Sequence, residues 1–406
     1  MKQKILFMTV GTGYGVDGYK KLANGLLTSI DYNSPSKVVF FVTEKSCETV
    51  DYLKELYYEK IGEKLDSYEL VNVTNPDDFS TCYKVMSQKI DEYSDNKIIV
   101  DYTSGTKTMS VTIAVIAILN HIGMMSIIGS RGELGVIEIN TEENKSQNPY
   151  RVYDKMYFDS FKKHFNNFRF ESAKISLSKI VSFEKDDLNL LFEINKLYNE
   201  WDKFHHEIPK LDSKNELLSN IKLQFQLNSK ALNIITHKGY HKEKNFYLVA
   251  DMLNNARRRF EEGRYDDATA RLYRSLELIA QKLLSSEYEL NTSDISMNQL
   301  KEKGLDETYL LELEKKENSE GKIKLGLRDS YYLLDKLGNE VGKYYIQKDN
   351  QYLNILSIRN FSILAHGEIP VSKENYLQFE ELVYDISKIY SPKIDQFLME
   401  TKFPKF

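Results

Sequence analysis

Five short apolar runs punctuate the first 140 residues: KILFMTV (4–10), KVVFFVT (37–43), YELVNV (68–73), KIIVDYT (97–103) and MMSIIGS (124–130). They are rich in Val, Ile and Phe without polar alternation, as strands covered on both faces should be. Residues 18–30, 46–62, 77–94 and 106–121 lie between them and have the length and spacing of helices. That alternation predicts a Rossmann-like, parallel α/β sheet with helices on both sides. GVIEIN (135–140) predicts a last edge strand, entered through a turn at Gly132 and Gly135.

The pattern changes after the polar stretch NTEENKSQNPY (140–150). From about residue 155 the chain is rich in Leu, Lys, Glu, Phe and Tyr at helical spacing, which predicts an all-α remainder. A second seam is predicted at THKGYHKEKN (236–245), so three domains are expected, over 1–150, 151–245 and 246–406. The stretch from Phe260 to Leu284 pairs a turn with an Ala-rich amphipathic helix, like half of a helical repeat. No second copy recurs, and a solenoid needs at least three.

A formal charge of −5 over 406 residues excludes a bulk basic field for coating nucleic acid. Any such contact must be local. Residues 230–274 hold ten Lys/Arg against six Asp/Glu, including Arg257, Arg258 and Arg259, a run that reads as a solvated helix face. The two cysteines, Cys47 and Cys82, form no CxxC or metal-spaced set and fit a reduced cytoplasmic setting. The first apolar run is too short for a membrane span and has no cleavage signal after it.

Two strand-end loops stand out, TVGTGYG (9–15) and DYTSGTKTMS (101–110). In an open α/β sheet, ligands bind beyond the carboxyl ends of the strands, where the strand order switches direction. Gly11, Gly13 and Gly105 permit close backbone approach. Thr12, Thr103, Ser104 and Thr106 carry hydroxyls, and a helix starting near Thr106 offers free amides to an anion, with Lys107 as a point charge. Neither loop is a GxGxxG or a Walker A motif, which argues against a dinucleotide dehydrogenase and a P-loop ATPase. Each alone reads equally as turn chemistry; the pair favours a phosphate-bearing ligand. Asp101 reads as a strand-end residue orienting the loop.

The stretch RNFSILAHG (359–367) carries a different chemistry. On a continuous helix Arg359 and His366 share a face, about 10 Å apart along the axis. Gly367 and Pro370 would end that helix, leaving His366 in its last turn, where the carbonyl ends favour the imidazolium. An imidazole can move protons and a guanidinium can clamp a phosphoryl group, which suits RNA cleavage by 2′-hydroxyl attack. Asn360 would orient the backbone or the phosphate. One histidine serves one end of the reaction, and a symmetric dimer would supply the second.

Together, TVGTG with DYTSGTKTMS in front and RNFSILAHG behind resemble the CRISPR-associated ribonucleases of type III systems, built from a CARF domain and a HEPN domain. Arg359, Asn360 and His366 fit the HEPN pattern of Arg, a polar residue, four to six others, then His. YDDATARLYRSLELIAQKLL, with Arg271, Arg274 and Glu277, looks like the helix that precedes it. The resemblance implies a cytoplasmic homodimer whose CARF pocket binds cyclic oligoadenylate through Gly11, Thr12, Gly13 and Thr103 to Lys107. It implies that binding there activates an endoribonuclease that cuts single-stranded RNA without metal or cofactor, at a composite site of Arg359, Asn360 and His366. Residues 151–245 would be a spacer that transmits the signal, and some relatives also cleave their own activator. Rival readings are a nucleotide-sensing regulator with a silent helical domain, a protein-interaction module, and a toxin-like HEPN ribonuclease without small-molecule control, against which the loops at Thr12 and Lys107 argue.

Overall fold

The computed structural model describes residues 2–13, 15, 17–132, 137–208, 218–239, 241–364 and 367–406. They form two compact units, Met1–Tyr153 and Asp154–Phe406.

The first unit is built as β1 (Lys4–Thr9), α1 (Gly18–Asn33), β2 (Lys37–Val42), α2 (Cys47–Ile61), β3 (Tyr68–Asn72), α3 (Phe79–Asp91), β4 (Lys97–Asp101), α4 (Lys107–Leu119), β5 (Gly123–Ile128) and β6 (Glu143–Gln147). The sheet order is β3-β2-β1-β4-β5-β6, parallel except for β6. Alternate residues of one strand feed opposite cores. Ile5 and Phe7 of β1 pack with Met86, Ile113 and Ile116 of α3 and α4, while Leu6 and Met8 pack with Leu26, Leu27 and Leu53 of α1 and α2. Burial on both faces is why these runs carry no polar alternation.

The last strand departs from the sequence reading. Glu143–Gln147 of the polar stretch, and not GVIEIN, pairs antiparallel with β5. Of GVIEIN, Gly135 and Val136 lie outside the described residues, and Ile137 makes one isolated bridge to Arg131. An edge strand that faces water needs no apolar side chains, so hydropathy does not mark it. The opposite edge, β3, is charged too: Glu69 bonds Lys37 at 3.0 Å, Lys89 at 2.5 Å and the Tyr93 hydroxyl at 2.7 Å.

The second unit is helical. Its helices are α5 (Tyr150–Asn166, which starts in the first unit), α6 (Phe170–Leu177), α7 (Lys185–Asp202), α8 (Lys222–Ile235), α9 (Lys244–Glu261), α10 (Tyr265–Tyr288), α11 (Met297–Lys301), α12 (Glu307–Glu314), α13 (Leu327–Lys336), α14 (Glu340–Gln347), α15 (Asp349–Asn360), α16 (Lys373–Tyr390) and α17 (Ile394–Thr401). Two apolar clusters form inside it. One gathers Phe161, Phe165, Tyr198, Trp201 and Phe225 from α5, α7 and α8, together with Phe403; the other gathers α9, α10 and α13 to α17 around Leu253, Leu276, Tyr331 and Phe379.

The arginine run of α9 is not a solvated face. Arg258 and Arg259 are buried and bind Asp202 of α7, at 2.8 and 2.5 Å, while Arg257 pairs with Glu380 at 2.7 Å. Arg258 Cζ also stands over the Phe403 ring, 3.7 Å from its centroid. Burial is tolerated because each charge is matched, and the triplet spends its charge on packing one cluster against the other.

Candidate functional site

In the first unit, the strand order switches between β1 and β4, so the loops after them diverge and leave a crevice. Both notable loops are there. A cleft of about 790 Å³ is lined by Gly11, Thr12 and Gly13 from one and Thr103 to Thr106 from the other. The strand-end rule also places Glu44 and Lys45 after β2, and Asn72 and Thr74 after β3, on its wall. Neither stretch has a glycine motif, which is why sequence reading passed them over.

The loops hold each other closely. The Gly11 amide donates to Ser104 Oγ at 2.9 Å, the Thr9 hydroxyl donates to the Ser104 carbonyl, and the Thr49 hydroxyl donates to the Gly11 carbonyl at 2.8 Å. Gly105 has φ +95°, and a Cβ there would lie 3.0 Å from Thr9 Cβ; Gly13 has φ +73°, and its Cβ would lie 2.1 Å from the Gly18 carbonyl carbon. Both positions therefore require glycine on backbone and space alike.

Two hydroxyls read as ligand contacts turn inward instead. Thr103 Oγ1 donates to Asp101 Oδ1 at 2.5 Å and accepts from the Ile127 amide at 2.7 Å, pinning the loop to β5. Thr106 Oγ1 donates to the Pro76 carbonyl at 2.6 Å and accepts from the Met109 amide at 3.2 Å, capping α4. Thr12 and Lys107 are exposed, and the first-turn amides of α4 have no intrahelical partner by helix geometry. Asp101 itself is 1% exposed, and its Oδ2 has no hydrogen-bond partner among the described residues. Burial pushes its carboxyl pKa up, against the Thr103 hydrogen bonds and the nearby Ser29, which favour the carboxylate.

In the second unit, α15 ends at Asn360, so the expectation of one helix through His366 is overturned. The chain folds back instead: the Gly367 amide donates to the Ser362 carbonyl at 3.2 Å and the Ile369 amide to the Phe361 carbonyl at 3.2 Å. A Cβ on Gly367 would sit 1.9 Å from the Phe361 carbonyl oxygen, so the return depends on that glycine. The helix stops early because its tail, Ser357 to Asn360, offers little apolar surface to the core, and Asn and Ser favour local turns over helix interiors. Arg359 and His366 therefore do not share a helical face, and the helix-end argument for the imidazolium fails. His366 lies outside the described residues, as does Ala365.

Arg359 has a defined setting. Its Nη1 donates to Asn360 Oδ1 at 3.1 Å, and its Cζ stands 4.3 Å from the centroid of the Tyr273 ring on α10. No acidic side chain pairs with it among the described residues. Arg274 bonds Gln281 at 2.9 Å and Glu277 at 3.4 Å along α10, whereas Arg271 is turned inward onto Asn255 and Asp267. Around the fold-back, Phe361, Ile363, Leu364 and Ile369 are exposed at 63, 62, 52 and 68%.

This second region is where a family match falls. Residues 237–389 match the model described as the Csm6 HEPN domain. That stretch, less than half of the chain, is similar to the HEPN domain of this family. The chain's fold agrees along almost its whole length with a solved structure, "Enterococcus italicus Csm6 bound to cyclic hexa-2'-fluoro-hexa-dAMP", at 15% identity and a TM-score of 0.61, covering 98% of this chain and 99% of that one. Can2 from Sulfobacillus thermosulfidooxidans, solved with cyclic tetra-adenylate, aligns over 50% of this chain and 65% of its own at 11% identity, with a TM-score of 0.26 too low to bear on the fold. No curated protein matches the sequence. The strand-end cleft belongs to the α/β unit, which lies outside the matched stretch, and the matched stretch contains Tyr273, Arg359 and Asn360. No described helix is long and apolar enough to cross a membrane.

Proposed function

We propose that this protein is an endoribonuclease switched on by cyclic oligoadenylate, cutting single-stranded RNA without metal in type III CRISPR defence. The observation that carries it is Arg359: within the matched HEPN domain, its guanidinium stands over an aromatic ring with no carboxylate among the described residues to neutralise it. A cation left unneutralised is suited to charge that arrives with a substrate.

In the proposed reaction the 2′-oxygen attacks the neighbouring phosphorus as the bond to the 5′-oxygen breaks, leaving a 2′,3′-cyclic phosphate. One His366 takes the 2′-hydroxyl proton, His366 of a second copy gives a proton to the departing 5′-oxygen, and Arg359 and Asn360 hold the phosphoryl oxygens. Two surfaces support a pairing of copies. The exposed apolar residues Phe361, Ile363, Leu364 and Ile369 surround the motif, and α4, which begins at the ligand loop, exposes Val111 and Leu119 beside Phe79 and Tyr83 of α3. Isolated monomers seldom leave contiguous apolar faces in water.

The activator would sit in the CARF cleft, on the α4 amides, Lys107, Thr12, Ser104 and the close-approach glycines Gly11, Gly13 and Gly105. Thr103 and Thr106 shape that site from behind. A cyclic hexanucleotide occupies the Enterococcus relative, which makes cyclic hexa-adenylate the first ligand to try. Activation requires the ligand to bind the active arrangement more tightly than the idle one.

A fluorogenic single-stranded RNA incubated in EDTA with cyclic tetra- or hexa-adenylate tests the proposal. Cleavage dependent on one ring size is expected, and Lys107→Ala should need more ligand to reach the same rate. Silence with every ring size would instead favour a regulator with an inert helical half.

A further inference from the structure

Resting on that proposal, we infer that Tyr273 is a positioning residue for the phosphoryl-clamping Arg359, acting through the face of its ring. Arg359 stands at the exposed end of α15, on a stretch that stops being helical one residue later. A long, flexible side chain in such a place would ordinarily sample many rotamers, and only a fraction would meet a substrate correctly. The described surroundings supply two restraints. One is the neighbouring Asn360, whose Oδ1 accepts from Nη1. The other comes from a different helix.

Tyr273 lies on α10, half-buried against the HEPN core, and its ring centroid is 4.3 Å from Arg359 Cζ. That separation is shorter than most other cation and ring approaches in the chain, such as 5.9 Å for Arg257 on Tyr384 and 5.1 Å for Arg328 on Tyr332. A guanidinium held over a ring, with only Nη1 engaged by Asn360, keeps its other N–H donors available to phosphoryl oxygens. A carboxylate in the same place would hold the arginine equally well and would use up those donors.

The ring is itself anchored. Burial pushes the Tyr273 hydroxyl pKa up, and the neighbouring Glu277 charge raises it further. Glu277 also meets Arg274, which bonds Gln281. A row of polar side chains along α10 thereby steers the tyrosine, and the tyrosine steers Arg359 on α15. Sequence reading selected Arg271, Arg274 and Glu277 from this helix and overlooked the residue among them that touches the motif.

The test is a double-mutant cycle on activated RNA cleavage. Tyr273→Leu is expected to lower kcat about tenfold, near 1.4 kcal/mol of barrier, with activator affinity unchanged. Tyr273→Phe keeps the face and should restore most of the rate. Once Arg359→Ala has removed the guanidinium, adding Tyr273→Leu should cost nothing further, an outcome that general loosening of the core would not give. Equal losses from Phe and Leu, or a Tyr273→Leu loss that persists in full on Arg359→Ala, would overturn the role of the ring. A parental rate in Arg359→Ala would instead remove the proposed active site, and this inference with it. Thermal melting of each variant identifies any that fail to fold, and for those Tyr273→Met serves as the ring-free replacement.

Discussion

At the strand-end loops of the α/β unit, Thr9, Thr103 and Thr106 all spend their hydroxyls on other parts of the same unit, and Gly13 and Gly105 fit spaces that admit no side chain. At the HEPN motif, Arg359 touches one ring and one amide, and four large apolar side chains around it face water. The first region is assembled before any ligand arrives. Preorganisation of that kind keeps the ordering cost of binding low. The second carries its chemistry on a surface that one copy leaves uncovered, and this suits a site to be completed by another chain.

The sharpest way to break the contrast is to remove the HEPN chemistry alone. Arg359→Ala or His366→Ala should lower activated cleavage by roughly a thousandfold, within the range for losing acid-base or charge stabilisation. Calorimetry with the cyclic ligand should give an unchanged affinity. Next in size, Phe361→Asp combined with Leu364→Asp places charges on the exposed surface. Cleavage per subunit should fall about tenfold or more at low protein concentration and recover as concentration rises, with light scattering reporting a smaller mean mass. Parental activity at every dilution would mean that the surface covers nothing needed for turnover.

In the α/β unit the effects should be conformational. Gly13→Ala introduces a left-handed non-glycine residue and a clash with Gly18, costing ~1–3 kcal/mol of local structure. Half-maximal activation should then need about tenfold to hundredfold more cyclic ligand, with the plateau rate preserved. A lower plateau at unchanged affinity would blur the separation between the two regions.

The smallest effect should come from Asp101. Its pKa is raised on folding, so the neutral carboxyl is the form the fold favours; that contribution is full below the unfolded pKa, near 4, and is lost as pH climbs through the folded value. Asp101→Asn keeps an acceptor for Thr103 without the buried charge. Its melting temperature should therefore gain on the parent as pH is raised from about 4 towards neutrality. A constant difference across that range would mean the carboxyl titrates alike in both states.

Sequence made the sheet legible because strands buried on both faces must be apolar throughout; four of the five parallel strands lie within the expected runs, and β5 begins one residue before its run. The crevice was legible for a similar reason, since close backbone approach demands glycine and glycine is visible in a sequence. The Glu143–Gln147 strand was not, because an edge in water imposes no composition. Nor was the end of α15: RNFSILAHG can be written as a helix, and only the return of Gly367 onto Phe361 shows that the chain turns first. Burial of Arg258 and Arg259 depends on Asp202, more than fifty residues away, and Tyr273 meets Arg359 from another helix. Residue spacing carries no record of such long-range pairings.

The two rims of the sheet have one further consequence. Glu69, bound to two lysines and a tyrosine, guards β3, and the Glu-Asn-Lys-Ser-Gln ribbon guards the far side. Open backbone donors and acceptors are the commonest template for runaway fibre growth, and charge there discourages it. Subunits kept from zipping together through their main chains can meet only by side-chain surfaces, which part again on dilution. A chain guarded in this way can be stored at high concentration without its sheets joining.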